Sequence, residues 1–438
     1  MTGGAVIDKH GSVARSFAPA VEAMLGGEPA VTFEFWDGST LGPTDSSSIA
    51  RIASPEAIRH MLWAPGELGL ARAFVTGGFE VDGSLEEVLR DLQVRAGTDR
   101  RLTPTAAAAV FKAAREVGVL GGPPPIPPEE IVTRGWRHSI RRDRRAVSHH
   151  YDVGNDFYAL VLGPSMTYSC ARFAEPTASL EDAQAAKHEL ICRKLGLDEP
   201  EFRAASVGAR PRLLDVGCGW GSMAIHAATH HDVDVVGVTI SEQQAELARR
   251  RVTDAGLDGR VEIRLQDYRQ IPDGPFDAIS SVGMAEHVGL KNMDRYFQKL
   301  YDLVRPNGRV LNHAIASIGG SKMGRRSFIA RYVFPDGELL DIATTVASME
   351  RAGFELRDVE NLREHYAATL RHWVANLERR WDEAVDLVGA RRARVWRLYM
   401  SGSVNGFLDG GIQIDQTLGV KSLGAPSGLP PTRATWER

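Results

Sequence analysis

The chain has 438 residues, 43% of them hydrophobic and 25% charged, and 52 basic against 56 acidic side chains leave a formal net charge of −4. This balance is typical of a globular protein and excludes a disordered, collagenous or fibrous chain. A near-neutral total also argues against nucleic-acid binding through bulk charge, so only a local basic patch could serve an anionic surface. The length predicts two or three domains, and we expect two.

The cysteines, Cys170, Cys192 and Cys218, are too few and too scattered for a disulfide framework. Because no Cys-x-x-Cys pair is present, no metal site is predicted. Charged residues among the first 25 exclude the apolar run of a signal peptide, and no stretch is apolar for long enough to span a bilayer. We therefore expect a cytoplasmic protein that is soluble or at most peripheral to a membrane.

Residues 1–120 predict a smaller N-terminal domain of mixed strands and helices. Alternating apolar and polar residues over 31–36 are typical of a half-buried strand. Ser54-Pro55 predicts the start of a helix that extends to about Trp63, and the alanine-rich stretch over 105–119 predicts another helix. No catalytic pattern occurs in this part of the chain, for which we expect an accessory role with lipid or membrane.

A proline-rich segment over 121–128 predicts a stiff, extended connector and the domain boundary. Six arginines follow between Arg134 and Arg145, against a single acid. Such a run is commonly a solvated helix face. It is also the composition that binds anionic lipid headgroups, at about 1 kcal/mol per basic residue. We predict a linker over 121–146 and a catalytic domain over 147–438, and both interpretations of the arginines stay open.

From about residue 210 the pattern alternates between strands and helices, which predicts an α/β fold with a doubly wound, Rossmann-like parallel sheet. Ligands on such a sheet bind at the carboxyl ends of its strands. The predicted strands cover 212–216, 233–238, 261–265, 276–282 and 309–314, and the predicted helices begin at Ser222 and Ser241 and cover 293–303.

The segment from Leu213 to Gly221 is a buried strand that enters a glycine-rich turn before a helix. Glycines at 217, 219 and 221 let the backbone approach a ligand closely, and the helix N-terminus offers free N–H groups. A dinucleotide site would need a glycine at Ser222 and an acid at the end of the second strand, and neither is present. The Asp215-x-Gly-x-Gly-x-Gly form instead resembles the S-adenosylmethionine loop of class I methyltransferases, so Asp215 and the glycines are expected to bind that cofactor.

The acid that usually binds the ribose in such enzymes is also missing from the second strand. Thr239 and Gln244 are candidates to replace it, although Ser241-x-x-Gln244 also fits a reciprocal capping box. Asp267 could offer a carboxylate to the adenine amino group and Tyr268 an aromatic face to its ring. A polar loop with a half-buried tyrosine explains this pair equally well.

Two ionisable residues lie at the ends of neighbouring apolar strands, Glu286 after the strand that starts at Phe276 and His313 within the last predicted strand. Buried ionisable groups are costly unless they are paired. From the residues alone, His313 fits a structural histidine, Glu286 a helix cap, and Cys170 a small buried apolar residue.

The chain resembles the cyclopropane-fatty-acyl-phospholipid synthase family, which includes the mycolic-acid cyclopropane synthases and fatty-acid methyltransferases that begin 10-methyl branching. The resemblance covers about residues 147 to 420. The matching segments are 150–158, 167–170, 215–221, 265–268, 283–289, 332–337 and the spacing of Asn361, Tyr366, Thr369, Leu370 and Trp373.

The resemblance implies S-adenosylmethionine and a bicarbonate ion as cofactors. The bicarbonate would act as a base held by Cys170, Glu286, His313 and Tyr366, with the backbone of Ile315 nearby. The resemblance also implies that the cofactor contacts Tyr168, Ser169, Gly217, Gly219, Thr239 and Gln244. At 268–269 the chain has Tyr-Arg where the mycolic-acid branch has Trp-Glu, which favours phospholipid acyl chains as substrate.

The family chemistry is methyl transfer to a cis double bond in a dry apolar cavity, followed by loss of a proton from a carbocation. Aromatic faces such as Tyr168, Tyr332 and Phe334 could stabilise the cation. The product would be a cyclopropane ring or a methylene or methyl branch, and the sequence does not decide between them. We expect a peripheral enzyme on the anionic inner face of the membrane, and a homodimer stays open.

Three other classes of protein predict different sequence features. A nucleic-acid methyltransferase should show an Asn/Asp-Pro-Pro-aromatic tetrad after the fourth strand, where Ser281-Val-Gly-Met284 stands, so no nucleic-acid partner is expected. A small-molecule methyltransferase would share the glycine loop. A lipid-binding protein without turnover would have no need for the set of Cys170, Glu286, His313 and Tyr366.

Overall fold

The computed structural model describes residues 12–96, 104–131, 153–206, 208–319, 324, 326–335, 337–424 and 426–437. The arginine-rich run from Arg134 to Arg145 lies outside these residues, so the prediction made for it stays a prediction. Among the described residues, no helix combines the length and the apolar character needed to cross a membrane.

The helices follow in chain order as α1 (Val13–Leu25), α2 (Pro55–Trp63), α3 (Glu67–Val75), α4 (Leu85–Ala96), α5 (Pro104–Glu116), α6 (Asn155–Leu162), α7 (Leu180–Leu195), α8 (Pro200–Ala204), α9 (Ser222–His230), α10 (Glu242–Asp254), α11 (Met293–Leu303), α12 (Ile342–Ala352), α13 (Arg363–Arg379), α14 (Trp381–Val388) and α15 (Ala390–Leu408). Short 3₁₀ turns cover Tyr268–Gln270, Ala285–His287, Leu290–Asn292 and Arg433–Thr435, and a π-helical turn covers Ile329–Val333.

The strands are β1 (Thr32–Phe35), β2 (Thr40–Leu41), β3 (Ile49–Ile52), β4 (Phe79–Asp82), β5 (Arg212–Val216), β6 (Asp234–Thr239), β7 (Val261–Leu265), β8 (Phe276–Val282), β9 (Val304–Ser317), β10 (Glu355–Asn361) and β11 (Ile412–Val420). They form a four-stranded sheet in the order β2-β1-β3-β4 and a seven-stranded sheet in the order β10-β11-β9-β8-β5-β6-β7.

The described residues pack as two compact units. The first unit holds the described residues up to 131 together with 324–335 and Trp381–Asn405, and the second unit holds the rest. In the first unit β1 runs parallel to β3, and β1–β2 and β3–β4 are antiparallel pairs. The mixed strand-and-helix character predicted for the N-terminal part is present there.

This division differs in two places from the continuous domains predicted from the sequence. Residues 121–131 pack within the first unit and do not stand apart as a linker, because the Glu130 carboxylate is buried and accepts two hydrogen bonds from Arg72, at 2.8 and 3.1 Å. Residues 381–405 also belong to the first unit, because Arg394 pairs with Glu80 at 2.7 Å and Asn405 donates to the carbonyl of Glu86.

The second unit contains the larger sheet, whose strands β5 to β9 run parallel as predicted. Strand β11 is antiparallel to both of its neighbours, β9 and β10, and neither β10 nor β11 was predicted. One apolar cluster includes buried residues of α7, α9 and α10 and another includes buried residues of α11 and α12, so both faces of the sheet are covered. This doubly wound arrangement places the carboxyl ends of β5, β6 and β8 along one edge.

Candidate functional site

The turn between β5 and α9 contains glycines, and part of its backbone borders open space. Gly217, Gly219 and Gly221 have φ angles of 78°, 54° and 81°, a region that side chains other than glycine adopt at a cost. A Cβ atom built on Gly219 would meet no other atom within 4 Å. The backbone of this turn is therefore accessible to a ligand at Gly219.

A cavity of the second unit lies at this edge of the sheet. It is lined by every residue that was predicted to bind the cofactor: Tyr168, Ser169, Asp215, Gly217, Gly219, Thr239, Gln244, Asp267 and Tyr268. The structure thus brings together residues that are spread over about a hundred positions of the chain. Their individual contacts with a cofactor stay predictions.

Asp215 is a buried carboxyl group at the carboxyl end of β5. Its Oδ1 accepts a hydrogen bond of 2.8 Å from Ser280, whereas its Oδ2 is buried and has no partner among the described residues. Burial raises the pKa of Asp215 to about 6, against the opposing effects of the Ser280 hydrogen bond and the Lys187 charge. A polar ligand group could satisfy the second oxygen.

The capping box predicted at Ser241-x-x-Gln244 forms only in part. The Ser241 hydroxyl accepts from the Gln244 amide N–H at 3.3 Å, as predicted. The Gln244 side chain does not return to Ser241, because its Oε1 accepts a hydrogen bond of 2.9 Å from the Thr239 hydroxyl. Both side chains therefore reach the cavity as a hydrogen-bonded pair, at the strand end where a ribose-binding acid would otherwise stand.

Asp267 and Tyr268 both line the cavity, but Asp267 already has a partner. Arg269 donates to its two carboxylate oxygens, at 2.8 and 2.6 Å. The Tyr268 ring is buried and packs edge-on against Tyr296, with ring centroids 5.0 Å apart. The Asp267 carboxylate thus acts within an ion pair, and the Arg269 guanidinium lies 5.5 Å from the centroid of the Tyr268 ring, so contact of either residue with adenine stays a prediction.

Lys187 is a cavity residue that the sequence did not reveal. Only 1% of it is exposed, and its Nζ donates a hydrogen bond of 2.9 Å to the Ser169 hydroxyl. Burial lowers the pKa of Lys187 to about 7, although nearby Cys170 and Asp215 favour the charged form. Lysines on helices are usually exposed, so no local signal marks this one.

Glu286 lies in the 3₁₀ turn that follows β8, and His313 lies within the adjacent strand β9, where it pairs with Val282 at the end of β8. The backbone N–H of Ile315 donates to Glu286 Oε1 at 2.7 Å, and Ile315 lies on the same face of β9 as His313. Glu286 Oε2 and both ring nitrogens of His313 are buried without partners among the described residues. Burial raises the pKa of Glu286 to about 7 and lowers the pKa of His313 well below its usual value.

Cys170 and Tyr366 meet at the start of α13. The thiol of Cys170 lies 3.7 Å from the carbonyl oxygen of Leu362, which also accepts the backbone N–H of Tyr366. The Tyr366 ring lies 6.0 Å from Trp373, whose ring lies 5.4 Å from Tyr168 in the cavity wall. Because burial raises the pKa of the Cys170 thiol, this group is uncharged. Their predicted roles in holding a bicarbonate stay predictions.

Tyr332 and Phe334, proposed from the sequence to stabilise a cation, belong to the first unit. The Tyr332 ring packs against Phe328, with its hydroxyl 3.4 Å from Glu130, and Phe334 packs edge-on against Tyr399. Of the three aromatic residues, Tyr168 lines the described cavity.

A doubly wound sheet with an antiparallel strand β11, a glycine turn after β5 and a cavity at that turn together define a class I S-adenosylmethionine-dependent methyltransferase. Residues 138–417 match the family model described as mycolic acid cyclopropane synthetase. The chain belongs to this family.

Known proteins agree with that assignment. A probable fatty acid methyltransferase of Mycobacterium tuberculosis is 39% identical over 423 residues, covering 94% of this chain and 96% of the relative. The cyclopropane-fatty-acyl-phospholipid synthase of Escherichia coli K12 is 34% identical over 383 residues, covering 87% and 90%. The solved mycolic acid cyclopropane synthase CmaA1, complexed with SAH and CTAB, is 32% identical with a TM-score of 0.58, covering 64% of this chain and 98% of that one. The predictions of family, fold class and S-adenosylmethionine-dependent methyltransferase activity are confirmed.

Proposed function

We propose that this enzyme transfers a methyl group from S-adenosylmethionine to the cis double bond of an unsaturated acyl chain carried by a phospholipid. The observation that carries the proposal is the set of unpartnered buried atoms on Glu286 and His313. Met284 and His287, which flank Glu286 in the chain, line the cavity, so this set adjoins the predicted cofactor residues. The printed names of the relatives, a fatty acid methyltransferase and a fatty-acyl-phospholipid synthase, support the substrate class.

The cavity fits S-adenosylmethionine. Open space at Gly219 and the unpartnered Oδ2 of Asp215 accommodate a polar ligand, and Tyr268 offers a buried ring to the adenine. Thr239 and Gln244 would hold the ribose, whereas Tyr168 and Ser169 would contact the methionine part. When bound, this cofactor supplies an electrophilic methyl group on a sulfonium. The relative solved with SAH supports such binding.

The hydrogen-bonding groups of Glu286 and His313 fit a bicarbonate ion. Glu286 Oε2 can accept a hydrogen bond, and a His313 ring nitrogen can donate one. A bicarbonate ion carries one O–H donor and several acceptor oxygens, which matches this pair, and Cys170 and Tyr366 complete the predicted set. When bound, the ion supplies a base.

The residues of this chain then orient the alkene and protect the cation. Water would add to a carbocation, so the proposed reaction requires a site from which water is excluded. The face of Tyr168 stabilises positive charge that develops near it, by cation–π attraction worth about 0.5–2 kcal/mol. Loss of a proton from the new methyl group closes a cyclopropane ring, and loss after a hydride shift gives a methylene branch.

We further propose that the enzyme works at an anionic membrane surface on the cytoplasmic side. An acyl chain within a bilayer is out of reach of a pocket unless the protein docks on the headgroups. The arginines between 134 and 145 supply the charge for docking that a net charge of −4 otherwise lacks.

The direct test is incubation with S-adenosylmethionine and an oleoyl phospholipid, followed by mass spectrometry and location of the double bond. We expect the acyl chain to gain one CH₂ unit at the position of the double bond, and the loss or retention of unsaturation separates ring from methylene branch. Methylation of an offered nucleic acid or small molecule with an unchanged lipid would contradict the proposal.

Two variants test the proposed base site. Glu286→Gln and His313→Ala should lose most turnover and keep their affinity for S-adenosylhomocysteine, because these residues are assigned to the base and not to the methyl donor. Wild-type turnover by both variants in bicarbonate-depleted buffer would show that no such site operates here.

A further inference from the structure

A cluster of metal-binding side chains lies in the second unit, outside the cavity lining. Cys192 on α7, His226 on α9 and His231 just after α9 each offer one ligand atom, and these three atoms lie within 4.8 Å of one another. Cys192 and His231 are buried, and His226 is half-buried. None of the three has a part in the methyl transfer proposed above.

Glu189 adds a fourth potential ligand from one turn earlier on α7. Its Oε2 lies 3.0 Å from His231 Nε2 and 3.4 Å from His226 Nε2. Its other oxygen, Oε1, accepts a hydrogen bond of 2.7 Å from Arg193. Arg193 therefore directs Oε2 towards the two imidazoles.

A further carboxylate orients one of these imidazoles from behind. Asp198 Oδ2 lies 2.6 Å from His231 Nδ1, on the far side of the ring from Glu189. Histidines that bind metals typically donate their second N–H to such a carboxylate, which sets the tautomer and the ring orientation. This contact turns Nε2 of His231 towards Glu189 Oε2.

We propose that Cys192, His226 and His231 bind a zinc ion, with the Glu189 carboxylate beside the two imidazoles as the fourth ligand once its side chain moves towards the ion. One thiolate, two imidazoles and one carboxylate are ligand types that zinc accepts in tetrahedral sites. Ligand atoms of a tetrahedral zinc site lie closer together than the 4.8 Å within which these three atoms lie, so the side chains move inwards when the ion enters. On binding, the thiol of Cys192 releases its proton to solvent.

The site has a structural role. It joins α7, which carries Lys187, to the C-terminal end of α9, which begins at the glycine turn. A metal bond between the two helices therefore stabilises the wall of the cavity without entering it. Binding to the folded protein alone also raises its stability by mass action.

The test uses the purified full-length chain, stripped with a chelator and then titrated with Zn²⁺ or Co²⁺. We expect one tightly bound ion per chain by elemental analysis, and an absorption band from thiolate-to-cobalt charge transfer. Cys192→Ser should abolish the band, and Cys218→Ser, which alters a buried cysteine outside the cluster, should keep it. Absence of stoichiometric binding, or a band retained in Cys192→Ser, would overturn the proposal.

A second variant covers the case in which Cys192→Ser fails to fold. Asp198 is 63% exposed at its side chain, so Asp198→Asn leaves the core intact. Because it loses only the orienting carboxylate, we expect zinc affinity to fall by roughly 10–100-fold with an unchanged circular dichroism spectrum. Asp254→Asn, at an exposed carboxylate outside the cluster, is the matched control and should bind zinc like the parent. Equal affinities of Asp198→Asn and the parent would contradict the assigned geometry.

Discussion

Burial sets the protonation of single residues around the cavity, and Glu286 shows the consequence for stability. Its pKa rises from 4.5 to about 7 in the folded chain. Between these values the folded protein keeps a proton that the unfolded chain has released, so the stability that Glu286 contributes falls as the pH rises from about 4.5 to about 7. The full change is on the order of 3 kcal/mol.

We therefore expect the stability of Glu286→Gln not to fall over this pH range. Measured relative to the parent, the variant should be more stable at about pH 8 than at about pH 5. Urea unfolding followed by circular dichroism at the two pH values measures the difference. Glu246→Gln, an exposed change on α10, should follow the parent at both. Identical pH profiles of Glu286→Gln and the parent would mean that the carboxyl is not buried as described.

Lys187 is a positioning residue for Ser169, and its effect should appear in cofactor affinity. Lys187→Met keeps the length of the side chain and removes both the donor to Ser169 and the charge beside the cavity. We expect S-adenosylhomocysteine to bind about tenfold more weakly by calorimetry, which is about 1.4 kcal/mol. Lys291→Met, at an exposed lysine, serves as the control.

The pH dependence of S-adenosylhomocysteine binding separates the effect of the Lys187 charge from the effect of its packing. With a pKa of about 7, Lys187 loses its charge as the pH rises through neutrality. The parent should therefore lose affinity over that range, whereas Lys187→Met should lose less. Equal affinity of the parent and Lys187→Met for S-adenosylhomocysteine at every pH would show that Lys187 has no role in cofactor binding.

At the scale of elements, we predict that the turn from β5 to α9 binds the cofactor. In Gly219→Val a β-branched side chain would adopt a φ near 54° and enter the open space beside the turn. We expect no measurable binding of S-adenosylhomocysteine by calorimetry in a variant that remains folded.

Gly256→Val is the matched control for that change. Gly256 follows α10 with a φ of 67° and also has nothing within 4 Å of a built Cβ, but it does not line the cavity. It carries a similar backbone strain, so the two variants should lose similar stability. Retained affinity in Gly219→Val, or lost affinity in Gly256→Val, would argue against the turn as the cofactor site.

The whole molecule must reach its substrate despite a net charge of −4. If the protein docks on anionic lipid as we propose, replacing Arg141, Arg142, Arg144 and Arg145 with Gln should remove about 1 kcal/mol of membrane attraction per residue. Even with half of this effect screened by salt, vesicle affinity should fall at least tenfold. Sedimentation with anionic vesicles measures the fall, and activity on detergent-dispersed substrate should stay nearly intact. Equal vesicle binding would indicate a solvated helix face instead.

Local patterns were enough to determine the strands β5, β7 and β8, the helix α11 and the glycine turn, because apolar periodicity and a need for positive φ act over a few residues. The resemblance then supplied Tyr168 and Ser169 and supported Gly217, Gly219, Thr239 and Gln244, all of which line the cavity. Only the tertiary structure decided the remaining features: the burial of Lys187 at the cavity, the antiparallel β11, the packing of residues 381–405 with the first unit, and the cluster of Cys192, His226 and His231. Each depends on contacts between distant parts of the chain, and such contacts leave no local pattern in the sequence.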